Sequence, residues 1–355
     1  MRLLRGFLVG ATLWATCAAP AHAQTGGALV GIALPAEQPA RWVRDGKAMV
    51  AALESAGLTA DLAYAGDDVP HQIAQIEAMI DRGARALVVA ATDGTALAGA
   101  LASAHAAGIP VIAYDRLIRD TADVDYYVTF DSFQVGVLQG QALLACLGPL
   151  SPAAPRAIEI FGGALADGNA DDFHDGAMSV LEPAIGQGGL VIGSGQTGMD
   201  EVGTLGWDPA VAGARMQSLL SGHYSRTRLD GVLSPDDALS LAILSALEAV
   251  GYGSAEMPMP CVTGQDADIA SVRSIIAGGQ NSTVFKDTRA LAQAAVGMVL
   301  ALLDGGTPAV TDGRTYNNGA KAVPAQVLAP VLVDRSNWEK KLVGSGYYTR
   351  DEIGG

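Results

Sequence analysis

Short apolar runs alternate with helical patterns along the first part of the chain. The runs are rich in Val, Ile, Leu and Ala, as in strands covered on both faces, and they fall at 28–33, 58–64, 86–90, 110–113 and 126–130. Amphipathic patterns lie between them at 40–56, 70–82 and 95–107. In the second pattern Ile73, Ile76 and Met79 share one face, as a helix packed on a sheet requires. The alternation predicts an α/β fold with a parallel sheet between two layers of helices.

A second series of the same kind follows a predicted helix at 132–147 and a Pro-rich joint at 149–155. Its strands are predicted at 157–161, 190–193, 231–233 and 261–263, and its helices at 171–181, 209–220 and 237–250. The last part of the chain predicts further elements at 269–277 (helix), 282–285 (strand), 289–303 (helix) and 322–324 (strand). Because one sheet of ten or more strands is unusual, we expect two lobes with a cleft between them.

Polar or aromatic side chains follow nearly every predicted strand. The strand at 110–113, for example, leads through Tyr114 directly into Asp115 and Arg116. In open α/β sheets ligands bind just beyond the carboxyl ends of the strands, so these side chains predict one site assembled from both lobes. The candidate residues are Arg41, Trp42, Asp93, Asp115, Arg116, Asn169, Trp207, Asp237, Asp266 and Lys286.

This mixture of side chains suits a sugar. Each sugar hydroxyl both donates and accepts, so a carboxylate accepts from two neighbouring hydroxyls while Arg or Lys donates to another oxygen. The C–H face of a pyranose packs on a Trp ring without requiring a hydrogen bond. Six of the ten candidates also have a purely structural alternative: a surface ion pair for Asp115 and Arg116, core packing for Trp42, loop anchoring for Trp207, helix capping for Asn169, and a solvated pair for Lys286 with Asp287.

The N-terminus has the form of a secretory signal. Residues 1–23 carry Arg2 and Arg5, then an apolar core, then Ala21-His22-Ala23 before Gln24. A membrane-spanning helix is the alternative, but it requires roughly 20 apolar residues without this polar end. We therefore expect an exported protein that begins near Gln24.

The net charge restricts the binding partners of the protein, and the cysteine content restricts its metal and disulfide chemistry. The formal charge of the chain is −15, and loss of Arg2 and Arg5 with the signal makes it −17. So acidic a protein repels phosphate groups and no basic patch stands out in the sequence, so we expect neither nucleic acid nor anionic membranes as partners. Cys146 and Cys261 remain after cleavage at no metal-ligand spacing, and the sequence leaves open whether they form a disulfide or are buried thiols.

Six segments of the chain are specific enough to carry a family resemblance: Ala40-Arg41-Trp42, Val111 to Arg119, Phe130 to Gln139, Gly203 to Pro209, Leu233 to Asp237, and Phe285 to Arg289. They closely resemble the periplasmic multiple-sugar-binding receptors of plant-associated bacteria, which belong with the xylose- and ribose-binding proteins. The likeness runs through almost the whole mature chain.

The resemblance implies a type I periplasmic binding protein, in which two Rossmann-like lobes joined by three hinge crossings close on a monosaccharide. It implies an N-terminal lobe of 24–130 with 266–315, a C-terminal lobe of 131–265 with 316–355, and hinges near 130–131, 264–266 and 316–319. All the candidate residues above carry over as sugar contacts, Asp93 more loosely than the rest. The chain departs from its relatives at 170–174, where they are more aromatic, so a stacking contact from 171 or 172 and the sugar specificity of the relatives do not carry over. Both cysteines are expected at the far end of the C-terminal lobe.

We expect a periplasmic, monomeric receptor that is not an enzyme and needs no cofactor. It is expected to deliver an aldose, either a pentose or a hexose, to the permease of an ABC importer. A sensor kinase or chemoreceptor as partner is the alternative. A glycoside hydrolase is a less favoured alternative. Such an enzyme needs one protonated carboxyl group, whereas Arg116 and Lys286 favour ionised carboxylates. The export signal excludes a transcriptional repressor of the same fold. The preferred sugar does not follow from the sequence.

Overall fold

A computed structural model describes residues 27–37 and 41–354. The expected signal segment, 1–23, lies outside the described residues. The strands are β1 (Leu29–Leu34), β2 (Thr59–Tyr64), β3 (Ala86–Val89), β4 (Val111–Tyr114), β5 (Tyr126–Phe130), β6 (Arg156–Ile160), β7 (Leu190–Ile192), β8 (Gly231–Leu233), β9 (Cys261–Val262), β10 (Ser282–Phe285), β11 (Thr315–Asn317), β12 (Ala322–Leu328) and β13 (Val331–Asp334).

The helices follow the predicted pattern with several short additions. They are α1 (Arg41–Ser55), α2 (Val69–Asp81), α3 (Ala98–Ala106), α4 (Ser132–Leu147), α5 (Gly168–Gly186), α6 (Met199–Val202), α7 (Pro209–His223), α8 (Asp237–Glu248), α9 (Ile269–Ala277), α10 (Thr288–Leu303) and α11 (Arg350–Ile353). A 3₁₀ turn spans Leu205–Trp207 and a π-helical turn spans Glu339–Val343. Within the described residues, no helix has both the length and the apolar character that a membrane crossing requires.

The first lobe is built on a seven-stranded sheet of order β11-β12-β5-β4-β3-β1-β2. Its strands run parallel except for β11, which pairs antiparallel with β12. Alternate residues of each strand point to opposite faces. Ile32 and Ile112 pack on one face against α1 and α10, and Leu87 and Val111 pack on the other against α2 and α3. Both faces are thus buried, as the apolar runs predicted.

The second lobe contains a four-stranded parallel sheet of order β7-β6-β8-β9. Ile158 and Ile160 face α4 and α5, whereas Ala157 and Val232 face α7 and α8. An antiparallel pair, β10 with β13, extends this lobe beyond β9 and contacts α4. The predicted α/β class and the two-lobed arrangement are confirmed.

The chain crosses between the lobes three times, between β5 and α4, between β10 and α10, and between β12 and β13. The expected boundaries at 266 and 316 are wrong. Residues 266–286 belong to the second lobe, because β10 pairs with β13 and Gln265 bridges to Val284. Residues 315–328 belong to the first lobe, because β12 pairs in parallel with β5. Local sequence pattern does not reveal such pairing between distant segments.

A disulfide joins Cys146, near the end of α4, to Cys261 at the start of β9. The two Cα atoms are 6.0 Å apart, within the range that a disulfide spans. The bond links a helix to the sheet that it covers, so it resolves the alternative that the sequence left open.

Candidate functional site

A cavity lies between the two lobes. Eight of the ten residues predicted from the sequence line it: Arg41, Trp42, Asp115, Arg116, Asn169, Trp207, Asp266 and Lys286. Sequence reasoning missed six further lining residues: Asp67, Asp167, Phe173, Gly206, Asp236 and Gln265. Both lobes supply residues to the lining of this cavity.

Asp115 is the centre of the first lobe's contribution. It follows β4 with a left-handed backbone (φ 61°), and its carboxylate Oδ1 accepts from Arg41 Nη2 at 2.9 Å. Burial favours the neutral acid, but the positive charges of Arg41 and Lys286 outweigh it and hold the pKa of Asp115 below its ordinary value. Asp115 is therefore an ionised acceptor inside the cavity.

The same balance operates at Asp266, which enters from the second lobe. Its Oδ1 lies 3.0 Å from Lys286 Nζ and 3.6 Å from Arg41 Nη1. Burial again opposes ionisation, and the charges of Lys286 and Arg41 lower the pKa of Asp266 below its ordinary value. Two carboxylates and two cations thus alternate in space, each a potential partner for a hydroxyl group.

Ion pairs also connect the lobes around the cavity. Arg44 Nη2 donates to Asp268 Oδ1 at 2.8 Å, and Arg116 Nε lies 3.0 Å from Asp167 Oδ2. Together with the pair between Arg41 and Asp266, they hold α1 and the loop after β4 against the second lobe. The lobes are closed on the cavity.

Trp42 combines a place in the core of the first lobe with a place in the cavity lining. The guanidinium groups of Arg41 and Arg116 lie over the Trp42 ring, 4.7 and 5.2 Å from its centroid. These cation–π contacts orient both arginines toward the cavity.

Trp207 forms an aromatic wall on the second lobe together with Phe173. Gly206 and Trp207 both have left-handed backbones (φ 61° and 55°), which turns the indole inward at the end of the 3₁₀ turn. Phe173 meets it edge to face at 6.4 Å, and the ammonium of Lys286 lies 5.6 Å from the Phe173 centroid. Trp207 Nε1 is buried and finds no hydrogen-bond partner among the described residues.

The helices α4 and α5 cross closely, and this crossing positions the start of α5 at the cavity. A Cβ on Gly136 would collide with the Phe173 carbonyl, and one on Gly176 with the Phe133 carbonyl. The two glycines therefore allow the backbones to touch. The close crossing brings Asn169 and Phe173 to the cavity.

The structure does not bring Asp93 or Asp237 to the cavity. Asp93 Oδ1 accepts from the backbone N–H and the hydroxyl of Thr95, each at 2.8 Å. Asp237 is fully buried, and its carboxylate accepts from Gln280, Thr283 and the backbone of Asp268. Both carboxylates are thus engaged in structural bonds.

Asp236 lines the cavity in place of its neighbour. It is the N-cap of α8, where one carboxylate oxygen accepts from Leu239 N at 2.8 Å. Burial and the negative charge of Asp266 raise the pKa of Asp236 to about 7. Of two adjacent aspartates before a helix, the N-cap is the one with extended backbone, and a helix-start signal in the sequence could have indicated it.

Among the described residues, no group of three or more His, Cys, Asp or Glu side chains is arranged to hold a metal ion. The arrangement of carboxylates, cations and aromatic rings is that of a polar organic ligand site. It has both hydrogen-bonding partners and flat apolar surfaces.

Residues 30–307 match the family model described as a periplasmic binding protein domain. The chain belongs to this family, and its two lobes with three crossings are the fold of the type I members. It is 55% identical over 335 residues to the multiple sugar-binding periplasmic receptor ChvE of Rhizobium radiobacter, with 94% of each chain covered. It is 32% identical over 325 residues to the D-xylose-binding periplasmic protein of Escherichia coli, with 91% of this chain and 92% of the relative covered.

The similarity to solved structures points to the same family as the similarity in sequence. A crystal structure of an ABC transporter solute-binding protein from Clostridium phytofermentans, with bound β-D-glucose, superposes with a TM-score of 0.86. It is 42% identical in sequence, and the match covers 92% of this chain and 99% of that one. The expected family and fold are confirmed.

Proposed function

We propose that the protein binds a monosaccharide between its lobes and delivers it to the permease of an ABC importer. The observation that carries the proposal is the alternation of Asp115, Arg41, Asp266 and Lys286 in the interlobe cavity. Ionised carboxylates accept from pairs of sugar hydroxyls, and the cations donate to the remaining oxygens. Trp207 and Phe173 supply an apolar surface for the C–H groups.

Closure is the step that couples binding to delivery. A sugar that contacts Asp115 in one lobe and Asp266 in the other stabilises the closed state more than the open one. Transport follows when the permease distinguishes the two states. The relatives that bind xylose and glucose support an aldose, and pentoses and hexoses are both included in the proposal.

The protein is exported to the periplasm by its first 23 residues, acts as a monomer, and releases its sugar chemically unchanged without a cofactor. The predicted site residues Arg41, Trp42, Asp115, Arg116, Asn169, Trp207, Asp266 and Lys286 surround the sugar, with Asp236 in place of Asp237. The similarity to the multiple sugar-binding periplasmic receptor ChvE favours a second output, in which the closed form also docks on a membrane sensor kinase or chemoreceptor.

A thermal-shift screen of purified protein against pentoses and hexoses, followed by calorimetry of the best ligands, tests the proposal. We expect one or more aldoses to raise the melting temperature and to bind with one-to-one stoichiometry. Stabilisation by none of them contradicts sugar binding. Release of product from aryl glycosides contradicts the non-enzymatic role. A pull-down with a sensor's periplasmic domain, with and without sugar, tests the second output.

A further inference from the structure

Gly163 lies behind the aromatic wall of the cavity. It follows β6 in the second lobe, and it is not itself one of the residues that line the cavity, whereas Trp207 is. A Cβ placed on Gly163 would come under 3.0 Å from three atoms of the Trp207 six-membered ring, Cη2, Cζ2 and Cζ3. An atom that approached Cη2 in the plane of the ring, along the Cη2–H bond, would lie more than 3 Å from the neighbouring atoms Cζ2 and Cζ3. Contact with all three therefore places Gly163 against a face of the indole.

The backbone at Gly163 does not itself require glycine. Its φ is outside the left-handed region, so alanine would fit the local conformation. The contact with the indole is what opposes a side chain here. Gly163 thus differs from Gly206, whose left-handed backbone favours glycine by itself.

The backbone of Trp207 is tied to the loop that carries Gly163. Gly163 O accepts from Thr204 N at 3.0 Å, and Thr204 O accepts from Trp207 N at 3.2 Å, so the two loops are tied together behind the ring. Phe173 blocks the ring on another side. Trp207 borders open space in the interlobe cavity and in an adjoining cleft that Leu205, Asp208 and Ala238 line.

We infer that Gly163 sets the depth of the sugar cavity and is a specificity-determining position, although it does not touch the ligand. Because Gly163 has no Cβ, the indole of Trp207 packs directly against its backbone, and the cavity keeps room for the larger aldoses. A methyl group at this position moves the indole forward and narrows the cavity. This inference rests on the proposed function, since it concerns the size of the sugar that the site admits.

D-glucose and D-xylose form a matched pair of ligands, because they differ by one hydroxymethyl group. We expect Gly163→Ala to weaken glucose binding at least about tenfold more than xylose binding, the usual scale for one group in a tight pocket. Trp207→Phe should remove the ring atoms that collide. In that background, Gly163→Ala should change the ratio of the two dissociation constants by less than about twofold.

The control is Gly168→Ala, near the start of α5 in the same lobe, where a Cβ meets nothing within 4 Å among the described residues. It should leave the ratio of glucose to xylose affinity unchanged. If Gly163→Ala fails to fold, Gly163→Ala with Trp207→Phe should fold, and failure of both contradicts the contact as the cause. Equal losses for both sugars, or losses that persist in the Trp207→Phe background, contradict the role of Gly163 alone. Binding of neither sugar by the wild-type protein contradicts the proposed function as well.

Discussion

The side-chain amide of Asn169, in the second lobe, donates to the backbone carbonyl of Asp115, in the first lobe, at 2.8 Å. The same carbonyl accepts from the hydroxyls of Tyr127 (2.7 Å) and Thr129 (3.1 Å), which lie in the first lobe. Asn169 therefore forms a direct bond between the lobes at the residue that presents the central carboxylate. This bond exists only when the lobes are closed.

Asn169→Ala should weaken the binding of every sugar to a similar degree. The substitution removes this interlobe hydrogen bond and a longer one, in which the Tyr127 hydroxyl donates to Asn169 Oδ1 at 3.4 Å, while Tyr127 and Thr129 keep the Asp115 carbonyl satisfied. A bond of this kind contributes about 1 kcal/mol, which corresponds to roughly a fivefold rise in dissociation constant. Calorimetry with a panel of aldoses measures it. A loss confined to one sugar would show instead that Asn169 acts through direct contact with that ligand.

Asp115→Ala should reduce sugar affinity by roughly 100-fold or more. The substitution removes the carboxylate and leaves Arg41 without its closest partner in a buried site, and unpaired buried charges cost several kcal/mol. Calorimetry gives the dissociation constant, and circular dichroism checks the fold. Asp93→Ala is the matched control, because Asp93 also follows a strand of the first lobe but does not line the cavity. The sugar affinity of this variant should stay within about twofold of the wild-type affinity. Equal effects of the two variants would contradict the site.

Asp236→Asn and Asp237→Asn should separate binding from stability. Asp236 lines the cavity, so its replacement should weaken sugar binding and leave the unligated protein folded. Asp237 accepts three hydrogen bonds in the second lobe, so its replacement should lower the free energy of unfolding by roughly 1–3 kcal/mol. Urea titration and calorimetry on both variants measure the two quantities. The reverse assignment of effects would restore Asp237 as the site residue.

The stability of the unligated protein should fall as pH rises from 5 to 8. The pKa of Asp236 is raised to about 7 in the folded protein, so the folded state binds a proton in this range that the unfolded chain has already released. Burial also raises the pKa of Asp45, to about 6, with the same sign. Urea unfolding at both pH values should show a decline of roughly 1–3 kcal/mol in wild type. Asp236→Asn should show a smaller decline, and an unchanged slope would contradict this role of Asp236.

Cys146→Ser should lower stability without changing sugar affinity. The disulfide closes a loop with a sequence separation of 115 residues, and its loss should reduce the free energy of unfolding by about 2–4 kcal/mol. Neither cysteine lines the cavity. Thermal unfolding with and without reductant, together with calorimetry of the variant, measures both effects. A reductant-insensitive wild type would contradict the bond.

The sequence predicted the features that depend on residues close together along the chain. Asp115 and Arg116 could be placed because a buried strand ends directly before them, and the carboxyl ends of parallel strands share one edge of a sheet. The choice between Asp236 and Asp237 depends on one residue of register at a helix start, which the apolar pattern does not fix. Asp67 and Gly206 were missed because loop backbone, rather than any pattern, turns them toward the cavity. The lobe boundaries failed because β12 pairs with β5, a contact between distant parts of the chain.

Four residues that line the cavity, Asp67, Asp115, Trp207 and Asp266, have left-handed backbones with φ of 58°, 61°, 55° and 91°. Conformations of this kind typically cost about 1–3 kcal/mol each for residues other than glycine. The strain is part of the folded conformation, so it lowers the free energy of unfolding. Glycine at Asp115 would relax the chain and at the same time delete the carboxylate. Selection for thermal robustness and selection for ligand capture therefore act in opposite directions at these four positions.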